Sequence, residues 1–527
     1  MNERILVIRF SSLGDILLTS PVVLNLKIAF PDARLVYLAK ERFRPIVELF
    51  DGVDQIVGVD DRASIRDYYH QLVELDNTGF THLIDLHGNP RSLLARKIVT
   101  AERKVVYPKR RLERQMMVTR HGKQLPETWP HTIDSYHQAL AVLNLPVYTT
   151  RPVLRRESLT VPARDKPSDR PRVVIAPGAA HPPKQWGIEQ FAQVANRLVE
   201  NHDAEIIWAG TSEDTPPGAL KSLSLPESVR LLIDHPLDRL AGDIASAHLT
   251  VANDSGIAHL SSAVGTPTLA LFGPTHPALG FAPRGLHDRL IEVDEWCRPC
   301  SLHGQKPCFR DEQYCFTRID PVMVAERAAS MLTASAARKP ALFLDRDGTV
   351  MVEKEFLADP SQVELETGVA PALRRARQLG YKLVLVSNQS GVARGYFGID
   401  KVEQVNARLI ELLQAERVEV DGVHYCPYHT DGTVVEYTKS SPLRKPAPGM
   451  PEQASVELGI DLPRSVVVGD RASDLDLGRT IGGRSFLVRT GYGRQAEPDL
   501  RRTHRNLAVC DTLTEVVDRL EKEGKSL

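Results

Sequence analysis

The sequence predicts an α/β protein of three parallel-sheet units, and three observations carry that expectation. Short apolar, β-branched runs recur: "RILVIRF", "ARLVYLA" and "THLIDLHG", then "RVVIAPG", "AEIIWAG", "LTVANDSG" and "PTLALFGP", then "ALFLDRDGT", "KLVLVSN" and "SVVVGD". Helically spaced segments separate them, the alternation of a parallel sheet covered by helices. The chain has 527 residues, too many for one hydrophobic core.

The first unit opens as strand, loop and helix, with Pro21 expected near the helix's first turn or at a kink. Residues Thr149 to Arg172 are rich in Pro, Arg, Ser and Asp and read as the connection to the second unit. That unit closes with a helical segment, "PVMVAERAASML". The small, polar run "TASAARK" suits a linker. The expected boundaries are therefore 1–160, 161–332, a linker at 333–339, and 340–527.

Hydrophobic residues make up 42% and charged residues 25%, which is ordinary for a globular protein. Lys and Arg number 66 against 67 Asp and Glu, a balance that argues against a general nucleic-acid binder. No apolar run reaches the 18 residues of a spanning helix, and the opening "MNERILVIRF" lacks the zones of a secretory signal. A cytoplasmic location is the resulting expectation. Six cysteines are too few for a secreted disulfide scaffold.

In the first two units, three loops follow strands and could line a ligand cleft. In "FSSLGDILLTSP", Gly14 permits a tight turn and Asp15 starts a helix, where a carboxylate also favours the helix dipole. In "APGAAHPPKQW", Gly178 allows close backbone approach and Lys184 offers a cation, unless it is a plain surface lysine. In "NDSGIAHLSSAVGTP", Asp254, Ser255 and Gly256 lead from a strand into a helix whose free N–H groups can hold a pyrophosphate. His259 lies one turn later, as a cleft residue or a buried structural histidine.

Together with "DLHGNPRS", these segments resemble the ADP-heptose:lipopolysaccharide heptosyltransferases of glycosyltransferase family 9, over roughly residues 1–332. The resemblance implies a GT-B pair of Rossmann-like domains with a metal-free site between them. It makes Asp15 the base that deprotonates the acceptor hydroxyl, and Lys184 the cation that steadies the leaving diphosphate. Asp254, Ser255, Gly256 and His259 become the donor-binding loop. It implies ADP-heptose as donor and an anionic glycolipid as acceptor. Lys109, Arg110, Arg111, Arg114, Arg120 and Lys123 are then an acceptor or inner-membrane surface patch, against the plainer reading of a solvated helix face.

Four cysteines crowd together: Cys297, Cys300, Cys308 and Cys315. The spacing suits a structural Cys₄ zinc site, an iron–sulfur cluster, or simply reduced thiols.

The third unit carries a different chemistry. Asp345 and Asp347 leave the end of an apolar strand, a pairing that suits a nucleophile and a proton shuttle. Ser387 and Asn388 can grip phosphate oxygens, Arg444 and Lys445 neutralise charge, and Asp470 and Asp474 are hard ligands for Mg²⁺. Neither the stretch from Asp345 to Ser387 nor that from Ser387 to Lys445 has room for a large cap domain. "FLDRDGTV", "VSNQSGVARGYF", "YCPYH", "RKPAPGM" and "VVGDRASDLDLG" resemble the haloacid dehalogenase (HAD) superfamily, and within it the heptose 1,7-bisphosphate phosphatases and histidinol-phosphatases. The resemblance implies a capless HAD-like fold with Asp345 as nucleophile and Asp347 as general acid/base. It places Mg²⁺ on Asp345, Asp470 and the Asp347 carbonyl. Ser387, Asn388 and Lys445 would hold the transferring phosphate, with Arg444 orienting substrate. Relatives carry a zinc loop of four ligands; here the positions read Cys426, Tyr428, Ser441 and Leu443, and no zinc is expected there.

The whole chain thus reads as two heptose enzymes in one, acting on heptose bisphosphate and ADP-heptose. Two alternatives stay open. One is a histidinol-phosphate-type phosphatase fused to a transferase for another nucleotide sugar. The other makes the first half a non-catalytic glycan-binding module.

Overall fold

The computed structural model describes residues 3–119, 129–161, 170–226 and 228–524. It separates into two compact units, Met1–Ala336 and Ala337–Leu527. The first contains two parallel sheets and the second contains one.

Sheet one comprises β1 (Arg4–Ile8), β2 (Arg34–Lys40), β3 (Gln55–Val59), β4 (Phe80–Asp85) and β5 (Ala101–Val106), in the order β3-β2-β1-β4-β5. Sheet two comprises β6 (Arg172–Ala176), β7 (Glu205–Gly210), β8 (Arg230–Ile233), β9 (Leu249–Asn253), β10 (Thr268–Phe272) and β11 (Arg289–Glu292). Its order is β11-β10-β9-β6-β7-β8. Sheet three comprises β12 (Ala341–Leu344), β13 (Lys382–Asn388), β14 (Gly422–Cys426), β15 (Val466–Gly469), β16 (Arg484–Val488) and β17 (Val509–Cys510), ordered β14-β13-β12-β15-β16-β17.

All three sheets share one plan: the first strand sits beside the fourth, and the chain order reverses there. β1 pairs β4, β6 pairs β9, and β12 pairs β15, each in parallel. These central strands are buried on both faces, which is why they read as continuous apolar runs. The crevice beyond their carboxyl ends is where such a sheet takes ligand.

Pro21 behaves as expected. Helix Leu13–Leu17 ends before it, and a second helix, Ser20–Ala29, begins with Pro21 in its first turn. The linker is shorter than expected. Helix Pro321–Ala336 runs through residues 333–336, because "TASAA" is alanine-rich and continues the helix that precedes it. The Thr149–Arg172 connection packs closely where it is described. The Leu154 amide donates to the Ala263 carbonyl, and the Arg155 amide to the Leu49 carbonyl. Arg120 and Lys123 lie outside the described residues.

Candidate active sites

In the first unit, the loops after β1, β4, β6 and β9 surround a cleft of about 1320 Å³. Asp15 lies in it, held tightly. Its Oδ2 accepts the Ser12 amide at 3.2 Å and the Ser12 hydroxyl at 2.9 Å, and pairs with the Arg9 guanidinium at 2.7 Å. Arg9 is in turn fixed by the carbonyls of Ser11 and Leu86. Burial alone would raise the Asp15 carboxyl, but Arg9 and the two Ser12 hydrogen bonds more than offset it, leaving it below the usual carboxylate range.

Across the cleft, Lys184 pairs with Asp254 at 2.7 Å, and the Thr275 hydroxyl donates to the same Asp254 oxygen at 2.8 Å. Ser255 caps helix Gly256–Val264, yet its buried hydroxyl has no hydrogen-bond partner among the described residues. That free hydroxyl stands at the helix N-terminus, where backbone N–H groups favour an anion. Gly178 is needed for space, since a Cβ there would meet Asp214 at 2.5 Å. The His259 ring is buried and lies against Gly14, where a Cβ would meet its Cδ2 at 2.5 Å. Burial holds His259 below the usual histidine range.

The basic segment is more than a solvated face. Lys109, Arg111 and Arg114 all line the cleft, while Arg110 lies over the Trp129 ring. Arg114 is buried, bonded to the Thr132 hydroxyl at 3.0 Å and placed over the Phe281 ring. Lys109 donates to the His87 carbonyl at 3.1 Å; burial and the neighbouring Arg111 push it down to about 8.

The second unit gathers its site where β12 meets β15. Carboxylate oxygens of Asp345, Asp470 and Asp474 lie within 4.8 Å of one another, the one such candidate ligand group among the described residues. A single buried cation sits among them: Lys445 Nζ lies 2.8 Å from Asp345 and 2.6 Å from Asp474. Half-exposed Arg471 reaches Asp470 only at 3.8 Å, so three carboxylates against one buried ammonium and this distant guanidinium still leave a deficit of positive charge. Burial and Asp474 accordingly raise Asp345 well above its ordinary range and push Asp470 up to about 7. Asp470 Oδ2 accepts the Tyr492 amide at 2.7 Å, whereas its buried Oδ1 has no hydrogen-bond partner among the described residues. A buried carboxylate oxygen with no hydrogen bond and only the distant Arg471 guanidinium near it, in an over-acidic pocket, fits a hard divalent cation.

The remaining parts enclose this group. Asn388 and Lys445 are locked by reciprocal bonds, Lys445 N to Asn388 Oδ1 at 3.0 Å and Asn388 Nδ2 to the Lys445 carbonyl at 3.2 Å. Gln389 donates to Ser387 at 2.7 Å and to Asp347 at 3.0 Å. Asp347 also takes the guanidinium of Arg346, itself fully buried. Arg444 is half-buried and donates to the Tyr428 carbonyl at 3.3 Å. Sequence reasoning missed Arg9, Gln389, Thr275 and Tyr492. Gln389 and Thr275 act across long separations and Tyr492 through its main-chain amide, while Arg9 reaches Asp15 six residues on only because the loop folds back. Gly348 and Gly491 were missed too. A Cβ on Gly491 would meet Asp470 at 2.2 Å and the Gly348 Cα at 2.7 Å.

At the positions where the resemblance implied a zinc loop, the described residues form no candidate metal-ligand group. Cys426 contacts the Tyr428 carbonyl at 3.8 Å, Ser441 accepts the Leu443 amide, and the Lys439 ammonium lies 4.5 Å above the Tyr428 ring. Cys297, Cys300, Cys308 and Cys315 line one small cavity, and none of them forms a disulfide.

This geometry defines a two-sheet glycosyltransferase cleft and an aspartate-based phosphatase pocket on one chain. The glycosyltransferase family 9 (heptosyltransferase) model matches residues 71–307, and a HAD-hydrolase-like model matches residues 442–516. A D-glycero-β-D-manno-heptose-1,7-bisphosphate 7-phosphatase of Mesorhizobium japonicum is 45% identical over 143 residues, 27% of this chain and 66% of that protein. The enzyme of the same description from Yersinia pestis is 40% identical over 159 residues, 30% of this chain and 85% of that protein. Through its second unit the chain belongs to this heptose-bisphosphate phosphatase family, and its first unit carries a family 9 glycosyltransferase domain. The ADP-heptose LPS heptosyltransferase II of E. coli shares the fold of the first unit, at 22% identity and a TM-score of 0.51, covering 63% of this chain and all of that one. A family 9 glycosyltransferase from Veillonella parvula aligns equally well, at 22% identity and 0.51 over 63% of this chain and 98% of that one. No helix among the described residues is long and apolar enough to cross a membrane.

Proposed function

We propose that the second unit removes the 7-phosphate from D-glycero-D-manno-heptose 1,7-bisphosphate, and that the first transfers heptose from ADP-heptose to an anionic, lipopolysaccharide-type acceptor. The observation that carries the first half is the Asp345–Asp470–Asp474 group closed by Lys445. In the first step an Asp345 oxygen bonds to phosphorus while the bond to the sugar oxygen breaks, and Asp347 delivers a proton to that oxygen. In the second, Asp347 takes a proton from water as its oxygen attacks phosphorus and the Asp345–phosphorus bond breaks. Ser387, Asn388 and Lys445 hold the phosphoryl oxygens, and Arg444 orients the rest of the substrate. Magnesium, held by Asp345, Asp470 and the Asp347 carbonyl, would neutralise charge on the transferring group.

In the first unit, Asp15 removes the proton of the acceptor hydroxyl as that oxygen attacks the sugar, and ADP leaves toward Lys184 and the Ser255–Gly256 turn. Asp254 and His259 complete the donor loop. Lys109, Arg111 and Arg114 supply the positive charge that an anionic acceptor needs. We place both reactions in the cytoplasm, with the basic segment against the inner membrane surface. The test is phosphate release from both heptose bisphosphate anomers and from histidinol phosphate, beside heptose transfer by residues 1–336. A preference for histidinol phosphate, or no transfer from ADP-heptose, would overturn the corresponding half.

A further inference from the structure

One part of the first unit is used by neither reaction. Between β11 and the short helix Tyr314–Thr317, residues 293–313 form no helix or strand. Loops of that length inside a compact domain are uncommon and need some source of order. The first half has ion pairs: Arg310 and Arg318 both reach the buried Glu295 at 2.6 Å, and Arg298 bonds to the Gly273 and Thr275 carbonyls. Within residues 301–312, Arg310 reaches back to Glu295 and lies over the Trp296 and Tyr314 rings, and Gln305 N donates to Ser301 Oγ.

The loop's cysteines converge. Cys297, Cys300, Cys308 and Cys315 surround one cavity of about 10 Å³, roughly the space of one small ion or water, and Pro183, Pro274, Lys306, Arg310, Gln313 and Tyr314 complete its wall. The same loop abuts the donor site. Gln313 donates to the Pro183 carbonyl at 2.6 Å, and Gly304 lies so close to Lys184 that a Cβ would meet its Cγ at 2.1 Å. Leu302, His303 and Gln305 line the cleft itself.

We propose that Cys297, Cys300, Cys308 and Cys315 together ligate one thiophilic divalent cation, zinc or ferrous iron, and that this ion fastens the loop against Lys184. Four sulfurs around one ion-sized space match the tetrahedral thiolate preference of both metals. No three of these sulfurs lie within 4.8 Å of one another, whereas a Zn–S bond of about 2.3 Å implies sulfurs roughly 3.8 Å apart. Binding therefore rotates the thiols inward and releases their protons to solvent. It exchanges the long contacts of Cys300 to the Pro274 carbonyl and Cys308 to the Glu312 carbonyl, each 3.7 Å, for metal bonds.

The full chain should be produced with added zinc or iron, purified without chelator and assayed for metal. About one zinc or iron per chain should survive dialysis against EDTA and be released by a mercurial thiol reagent. The element found decides between the two metals. The reduced, metal-free chain should take up Co²⁺ with an intense near-ultraviolet thiolate charge-transfer band. Cys308→Ser, at a half-buried position, should weaken metal retention and sugar transfer roughly tenfold while leaving phosphate release unchanged. Failure to hold zinc or iron and to take up Co²⁺ would overturn the site, as would metal lost with Asp470→Asn but kept in Cys308→Ser. Metal lost in Cys308→Ser with transfer unchanged would overturn the fastening role. A chain that binds metal at the cysteines but transfers no sugar would overturn the transferase reading alone.

Discussion

The two units hold their reactive carboxylates in opposite electrostatic states. In the transferase cleft, Asp15 is buried but matched by one guanidinium, Arg9, and its pKa falls. In the phosphatase pocket, Asp345 and Asp474 share the Lys445 ammonium, Asp470 has only the Arg471 guanidinium at 3.8 Å, and Asp345 and Asp470 rise. A balanced carboxylate is ready to act as found. An unbalanced group of carboxylates either takes up protons or recruits a cation. The contrast explains from charge alone why one reaction should run without divalent metal and the other should demand it.

The largest effect that could break this comparison is loss of the nucleophile. Asp345→Asn should lower phosphate release by a factor on the order of 10⁴ or more and leave heptose transfer intact. Near-normal phosphate release by that variant would refute the assignment. Asp15→Asn is the counterpart, expected to slow transfer by roughly 10²–10⁴ with phosphatase turnover unchanged.

Arg9→Lys sharpens the contrast. The three donors to Asp15 Oδ2 fix the carboxylate's orientation, so loosening one should lower kcat about tenfold with little change in KM for the donor. Because Arg9 offsets burial, weakening it lets the Asp15 pKa rise, and the acid limb of the pH–rate profile should move to higher pH. An unmoved limb would show that Arg9 does not set the base.

The metal comparison has a thermodynamic form. The folded-state pKa values of Asp345 and Asp470 exceed the unfolded ones, so stability from their protonated forms is complete below about pH 4. It is lost as pH rises through about 7. Saturating Mg²⁺ should therefore raise the melting temperature of residues 337–527 more at pH 8 than at pH 5, by a difference on the order of 5 °C. Equal shifts at both pH values would contradict the charge-deficit account. The smallest expected signal concerns the loop around Cys426, Tyr428, Ser441 and Leu443. Residues 338–527 should bind no stoichiometric, chelator-resistant zinc, since Leu443 cannot ligate and Tyr428 and Ser441 are poor substitutes for histidine and thiolate.

Much of both sites was legible in the sequence because the chemistry sits where strands end. Asp345, Ser387, Asn388 and Asp470 each close or follow an apolar run that is a strand, and Asp254 does the same after β9. What stayed hidden depends on pairing across the sheet or between sheets. Nothing near Asp15 announces that Arg9 will fold back onto it, and Lys184 reads as a lone cation until β6 and β9 bring it to Asp254. The linker was misjudged for a local reason. Small residues that suit a flexible tether also extend a helix, and residues 333–336 join the helix before them.

The contact between Gly14 and His259 carries one further consequence. Helices Leu13–Leu17 and Gly256–Val264 approach each other at a point where one side supplies a bare backbone and the other a flat ring. The closeness of the two helices at this edge of the cleft thus depends on a missing methyl group. Exchanging Gly14 for alanine would act as a wedge against the His259 ring, prising the two sides apart or displacing that ring, without changing any charge. Larger side chains would widen the mouth step by step. A single residue there is a mechanical gauge for how closed the cleft must be to transfer a sugar rather than merely hold it.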